Sequence, residues 1–361
     1  MTHRMSICLG FLVVCSGLAT AQSYHEYRQA LWVVPAFIQV GQADLLASQD
    51  RRPTWQALHF NPASLGRQPG QAASLVYDTR LDNRNSDFGA GPRGAPALPQ
   101  AVTILSTAGR WSLAAGYAQH YNQRFLVLET TPSQPSGTGR TSYFDTRLEV
   151  LASEAAWTQQ ELPGLSKLSL GVGLGLSRFD IETNAHWTKR HVRQRFGKAW
   201  SIGLEARLRT ARPLIVGLAW HKASAARLSF QPSPTIFSEG TIPPSAQAQV
   251  LIGIAPGSEF KLSLDRVFWG RTNRSFRHRT EAACSLAGQI SGTRLALGVA
   301  SSSALTSVSW PNGHYQAILL QAGIARPLGP VELSLNVQDG HWAKAAMWHQ
   351  TSLSLGVRYA F

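Results

Sequence analysis

Two histidines, His186 and His191, stand five residues apart in the run His186-Trp187-Thr188-Lys189-Arg190-His191-Val192-Arg193-Gln194-Arg195-Phe196-Gly197-Lys198. Imidazoles ligate transition metals, but a site also needs thiolate or carboxylate partners, and this run supplies neither. What it concentrates is positive charge. Arg271, Arg274, Arg277, His278 and Arg279 form a second basic focus. Such clusters attract polyanions. Asp265 beside Arg266 looks like an acid–base pair, yet on a strand consecutive side chains leave on opposite faces. No Gly-x-Ser-x-Gly elbow, His-Glu-x-x-His pair or Cys-x-x-Cys pair occurs, and Gly171-Val172-Gly173-Leu174-Gly175-Leu176 misses the dinucleotide spacing at its sixth position. These residues imply no catalytic group, metal or cofactor. Binding or passage is the chemistry to expect.

The elements that must position these residues begin with an export leader. Arg4 precedes an apolar run from Ile7 to Ala19, and Ala19-Thr20-Ala21 before Gln22 has the small-x-small form of a cleavage site, so residues 1–21 are expected to be a signal peptide. Cys8 and Cys15 fall inside it. Cys284 is then left without an internal disulfide partner and is expected to be a small apolar filler. Losing the leader lowers the formal charge of +14 by one, for Arg4. A basic exported chain is expected to meet anionic lipid headgroups and lipopolysaccharide phosphates, with Lys189, Arg190, Arg193 and Arg195 as the binding candidates, rather than nucleic acid. Solvated loop charge is the alternative.

Only 15% of the residues are charged and 44% are hydrophobic, yet beyond the leader no run of 18 apolar residues exists to make a membrane-crossing helix. The pattern is instead a period of two. Val331, Leu333, Leu335 and Val337 alternate with Glu332, Ser334, Asn336 and Gln338, and Ile202, Leu204, Ala206 and Leu208 alternate with Ser201, Gly203, Glu205 and Arg207. Phe260-Leu262-Leu264 alternates with Lys261-Ser263-Asp265 in the same way, and Leu168 to Leu176 alternates with Lys167, Ser169, Gly171, Gly173 and Gly175.

This periodicity predicts fourteen strands, near 71–80, 99–107, 111–123, 143–158, 166–181, 199–209, 213–230, 245–255, 258–269, 276–288, 293–303, 313–325, 330–338 and 348–361. Their connections alternate between tight turns, such as Ala108-Gly109-Arg110, Thr210-Ala211-Arg212, Pro256-Gly257 and Pro327-Leu328-Gly329, and long stretches at 81–98, 124–142, 182–198 and 231–244. Sorting short and long loops to opposite ends is the pattern of an all-β transmembrane antiparallel barrel of the bacterial outer membrane. Trp111, Trp157, Trp200, Trp220, Trp269, Trp310, Trp342 and Trp348 fall at or near strand ends, where interface girdles or core filling would place them. The chain closes on an alternating strand in which Leu353, Leu355, Val357, Tyr359 and Phe361 share one face, similar to the signal by which the barrel assembly machinery recognises its substrates.

Residues 22–70 do not alternate, and an extra segment ahead of a barrel can plug its lumen, which divides the chain into a leader at 1–21, a hatch at 22–70 and a barrel at 71–361. In this segment Gly41-Gln42-Ala43 and Asn61-Pro62-Ala63-Ser64-Leu65 resemble the hatch motifs of the FadL/OMPP1 family of outer-membrane transporters. Ile242-Pro243-Pro244 leading into Leu251-Ile252-Gly253-Ile254 is similar to that family's proline-containing lead-in to a strand. The resemblance implies a fourteen-stranded barrel with an N-terminal hatch and passive uptake of fatty-acid-like or other hydrophobic small molecules. It also implies that Phe60, Asn61 and Pro62 are hatch elements. Ile236 and Phe237 are added from composition as a loop pocket that captures an apolar ligand. The Val34-Pro35-Ala36-Phe37-Ile38 run is also similar to the N-terminal pattern of PorV, the barrel of the type IX secretion machinery, which implies secretion-system partners instead. A purely structural outer-membrane barrel is the third reading.

Overall fold

The strands follow from the two-residue period. Side chains alternate across a strand, so an apolar–polar alternation gives one face for lipid and one for the interior. A computed structural model describes residues 45–46, 61–67, 70–82, 101–129, 140–184, 191–223, 244–268, 279–303, 316–340 and 350–361. Fourteen strands are present among them. They are β1 (Gln71–Asp82), β2 (Ala101–Ala108), β3 (Trp111–Glu129), β4 (Arg140–Leu162), β5 (Leu165–Asn184), β6 (His191–Leu208) and β7 (Leu214–Ala223). The second half comprises β8 (Ser245–Ala255), β9 (Ser258–Val267), β10 (Arg279–Ile290), β11 (Thr293–Ser303), β12 (Gln316–Leu328), β13 (Val331–Asp339) and β14 (Gln350–Ala360). Each pairs antiparallel with its chain neighbours, and β14 pairs with β1, from Ala72 opposite Ala360 to Asp82 opposite Gln350, closing the ring. Closure leaves no open edge for the backbone to satisfy in lipid.

The expected faces hold. Leu170, Val172, Leu174 and Leu176 are exposed on the outside of β5, while Ser169, Gly171, Gly173 and Ser177 on the other face are buried. Ile202 and Leu204 on β6, Leu262 and Leu264 on β9, and Leu333 and Leu335 on β13 continue this outward apolar belt. A belt of exposed leucine and isoleucine around a closed barrel is stable only against hydrocarbon, so the barrel is a membrane-spanning one. Trp111, opposite Trp157 across β3 and β4, stands beside a tight turn, and at the same end of the barrel Tyr359 of β14 lies 5.0 Å from the Phe361 ring that follows the strand. Trp220 lies 5.3 Å from Phe268 at the far ends of β7 and β9. Trp269, Trp310, Trp342 and Trp348 lie outside the described residues.

Tight turns sit at one end. Gly109, Gly164, Gly257, Gly292 and Gly329 each have positive φ, which lets the chain reverse in two to four residues. Both ends of the barrel sequence, Gln71 and Ala360, lie at this same end. In a bacterial outer membrane it would face the periplasm.

The strands differ from expectation where they leave the lipid. β6 begins at His191 rather than 199, β5 continues to Asn184, and β3 and β4 reach Glu129 and Arg140. The stretches read as loops at 124–142 and 182–198 therefore contain strand at 124–129, 140–142, 182–184 and 191–198, and 130–139 and 185–190 lie outside the described residues. About ten tilted residues cross the hydrocarbon, so the 23 residues of β4 extend well past it. Beyond the bilayer nothing selects an apolar face. Hydrogen-bond ladders continue there after the sequence alternation has stopped. β7 is described as far as Ala223, and 224–230 of the strand expected at 213–230 lie outside the described residues.

Candidate functional site

The tetrapeptide Asn61-Pro62-Ala63-Ser64 opens a 3-10 helix, Pro62–Arg67, whose residues are all buried inside the barrel. Its local chemistry explains the motif. Asn61 caps the helix, with its Oδ1 accepting from the Ala63 N–H at 3.0 Å, and its backbone carbonyl accepting from the Ser64 N–H at 3.0 Å and the Ser64 hydroxyl at 2.7 Å. Pro62 takes the first helical position, where a missing N–H costs nothing. The free end of the Asn61 amide then donates to the Leu204 carbonyl of β6 at 2.9 Å, so one side chain both starts the helix and fastens it to the wall.

The wall receives the helix because it lacks side chains there. A Cβ on Gly171 would lie 2.2 Å from the Ala63 nitrogen and 2.3 Å from the Pro62 carbonyl carbon, and one on Gly203 would lie 1.8 Å from Asn61 Oδ1. Gly217 faces the Asn61 amide at 3.0 Å by the same measure. These lumen-facing glycines on β5, β6 and β7 form a saddle that only bare backbone can provide. The helix's own Gly66 packs as closely on Thr158 and Ser169.

The far end of the helix is held by charge. Arg67 donates from Nε and Nη2 to the two carboxylate oxygens of Glu205, at 2.7 and 2.6 Å, and from Nη2 to Gln249 Oε1 at 3.2 Å. The side chains are 4% and 7% exposed, so this is a buried, two-pronged pair with a geometry that carboxylate and guanidinium match well. Lys167 donates to the Gly66 carbonyl. Leu65 fills an apolar hollow made by Leu105, Ala114 and Ala156.

A second piece of the preceding chain, Leu45-Leu46, packs on Ala287, Ala296 and Ala325 of β10, β11 and β12. Here too glycines admit it: a Cβ on Gly298 or Gly323 would come within 3.1 or 3.0 Å of the Leu45 methyls. The helix touches β3 to β7, and β5 and β12 are seven strands apart in a ring of fourteen. The two pieces thus occupy opposite walls. Gly203, Gly171, Gly298 and Gly323 each lie five or six residues from a tight turn, about 15–20 Å along the strand, which sets these two pieces in the tight-turn half of the lumen.

No family signature matches the sequence, and no curated protein is significantly similar to it. Solved structures are. The toluene transporter TbuX of Ralstonia pickettii superposes with a TM-score of 0.64 at 13% identity, over 85% of this chain and 94% of that one. The toluene transporter TodX of Pseudomonas putida gives 0.60 at 13% identity, covering 90% and 97%, and a FadL homologue of Pseudomonas aeruginosa gives 0.60 at 13% identity, covering 91% and 99%. The chain has the FadL-type barrel fold.

Of the site residues expected from sequence, the structure brings Asn61 and Pro62 to the saddle. Phe60, Ile236, Phe237, Lys189 and Arg190 lie outside the described residues, and Arg193 and Arg195 lie on β6, near its first residue His191. The sequence reading did not single out Arg67, Glu205 or the glycine saddle. Their signal was partly visible: Glu205, Gly203 and Gly171 already stood on the polar side of two alternating strands, and a run of glycines on a lumen face marks close approach of another backbone.

Proposed function

We propose that this protein is an outer-membrane conduit for passive uptake of hydrophobic or amphipathic, fatty-acid-like small molecules, with residues 22–70 acting as its hatch. The observation that carries the reading is the docked helix. The helix is held to the wall by side-chain hydrogen bonds, a buried ion pair and packing on bare glycines, none of which belongs to the hydrogen-bond ladders of the barrel, so its release leaves those ladders intact. The fold likeness to toluene transporters and a FadL homologue supports the same class of cargo. Passage needs no energy source, and no residue is given a catalytic role. Lys189, Arg190, Arg193 and Arg195 serve in this reading to hold anionic lipid or lipopolysaccharide at the outer surface. The last strand, β14, with Phe361 following it, serves assembly of the barrel in this reading.

The test is extraction of the whole chain from outer membranes in mild detergent and native mass spectrometry. A lipid-sized adduct that disappears in the Asn61→Ala, Pro62→Ala double variant is expected. An empty barrel that carries a stoichiometric protein partner would overturn the reading in favour of a secretion scaffold.

A further inference from the structure

The two sides of the plug are held by different chemistry. The helix side has a bidentate ion pair and a backbone hydrogen bond. On the other side, among the described residues, Leu45 and Leu46 pack by methyl contact on Ala287, Ala296 and Ala325, against a wall that also carries side-chain amides. Gln321 of β12 faces the lumen opposite Gly298 and Gln338, and Asn336 of β13 faces it one rung away, opposite Gly323 and Ser354. Gln321 is 2% exposed and Asn336 4%. Neither Gln321 Nε2, Gln321 Oε1 nor Asn336 Oδ1 has a hydrogen-bond partner, and Asn336 Oδ1 sits 2.8 Å from where a Cβ on Gly323 would be, beside the Leu45 and Leu46 methyls. Buried amide atoms without partners are rare because their lost hydration is not replaced.

We infer that the Leu45-Leu46 seat is a ligand subsite, in which an amphipathic molecule with a hydroxyl head displaces the two leucines and hydrogen-bonds Gln321 and Asn336. The inference rests on the uptake reading above and narrows its cargo. The unpartnered set is one donor and two acceptors. A hydroxyl accepts from the Gln321 amide and donates its one proton to either oxygen, Gln321 Oε1 or Asn336 Oδ1, whereas a carboxylate only accepts and a bare hydrocarbon does neither. The cargo's chain replaces the leucine methyls over Gly298 and Gly323, where absent side chains already leave room. Exchange at this seat leaves the Arg67–Glu205 anchor of the helix on the opposite wall in place.

The test uses the full chain in detergent with an equimolar mixture of 1-decanol, decane and decanoate, read by native mass spectrometry, and the same mixture for Gln321→Leu/Asn336→Leu and Leu45→Ala/Leu46→Ala. The expected result is a preference for decanol over both others of about tenfold, one hydrogen bond's worth. That preference should collapse to within twofold in the amide variant. Melting of the unliganded amide variant should be unchanged or higher, because it loses polar atoms that had no partner. In the leucine variant all bound ligands should increase. Decanol bound no better than decane, or a preference that survives in the amide variant, overturns the subsite while leaving the conduit intact. Absence of every ligand from all three proteins overturns the conduit as well.

Discussion

Replacing Gly203 by alanine should release the plug without unfolding the barrel. The new methyl would fall 1.8 Å from Asn61 Oδ1 and 2.9 Å from Pro62 Cδ. The wall cannot yield, because Gly203 is laddered to Gly171 on one side and Ala219 on the other. The helix must lift instead. Lifting forfeits the bond from Asn61 to the Leu204 carbonyl and the cap on Ala63, each worth about 1 kcal/mol. Docking is weakened by about 2 kcal/mol, so the undocked fraction rises roughly 30-fold at 1.4 kcal/mol per decade. The assay is limited proteolysis in micelles, with cleavage ahead of Gln71 followed by mass spectrometry, since cleavage tracks the open population when closing is fast. Gly288→Ala is the control, because its methyl would meet nothing nearer than Ser258 Oγ at 3.6 Å. The expected result is cleavage of Gly203→Ala at least tenfold faster than both wild type and Gly288→Ala, with the barrel band on unheated gels intact. Equal cleavage in all three would refute the docking argument.

Arg67→Met should leave Glu205 buried without its cation and weaken the plug by about 3–5 kcal/mol, whereas Arg67→Met/Glu205→Leu should recover much of the loss; the same proteolysis reads both, and a double variant no better than the single one would contradict a charge-based anchor. Leu174→Arg places a cation in the outward apolar belt and should cost about 2–4 kcal/mol of stability, measured by urea titration of the barrel folded into vesicles. An unchanged midpoint would mean that Leu174 does not face lipid.

The barrel was legible because a two-faced strand writes its burial into every second residue. Leu333 and Leu335 against Asn336 and Gln338 give the face assignment directly, and the fourteen strands follow from repeating that reading. Legibility ended where the lipid ends. His191 to Lys198 pair with β5 in continuous register, but their sequence carries no apolar–polar alternation. The plug shows a different limit. Asn61-Pro62 was visible as a motif, and its capping role follows from the residue types, but the partner of Arg67 lies 138 residues away on β6. Nothing local in sequence connects them. Leu45-Leu46 has no pattern of its own, and its seat is defined by Gly298 and Gly323, more than 250 residues further along the chain.

The most direct test of a plugged conduit is uptake. Purified full-length protein is reconstituted in vesicles whose outer leaflet is lipopolysaccharide, and entry of a fluorescent long-chain alcohol is timed for wild type, Gly203→Ala and protein-free vesicles. Entry through wild type faster than the protein-free rate, and faster again through Gly203→Ala, is the expected result. Entry at the protein-free rate in both proteins, with the barrel band intact, would contradict the account.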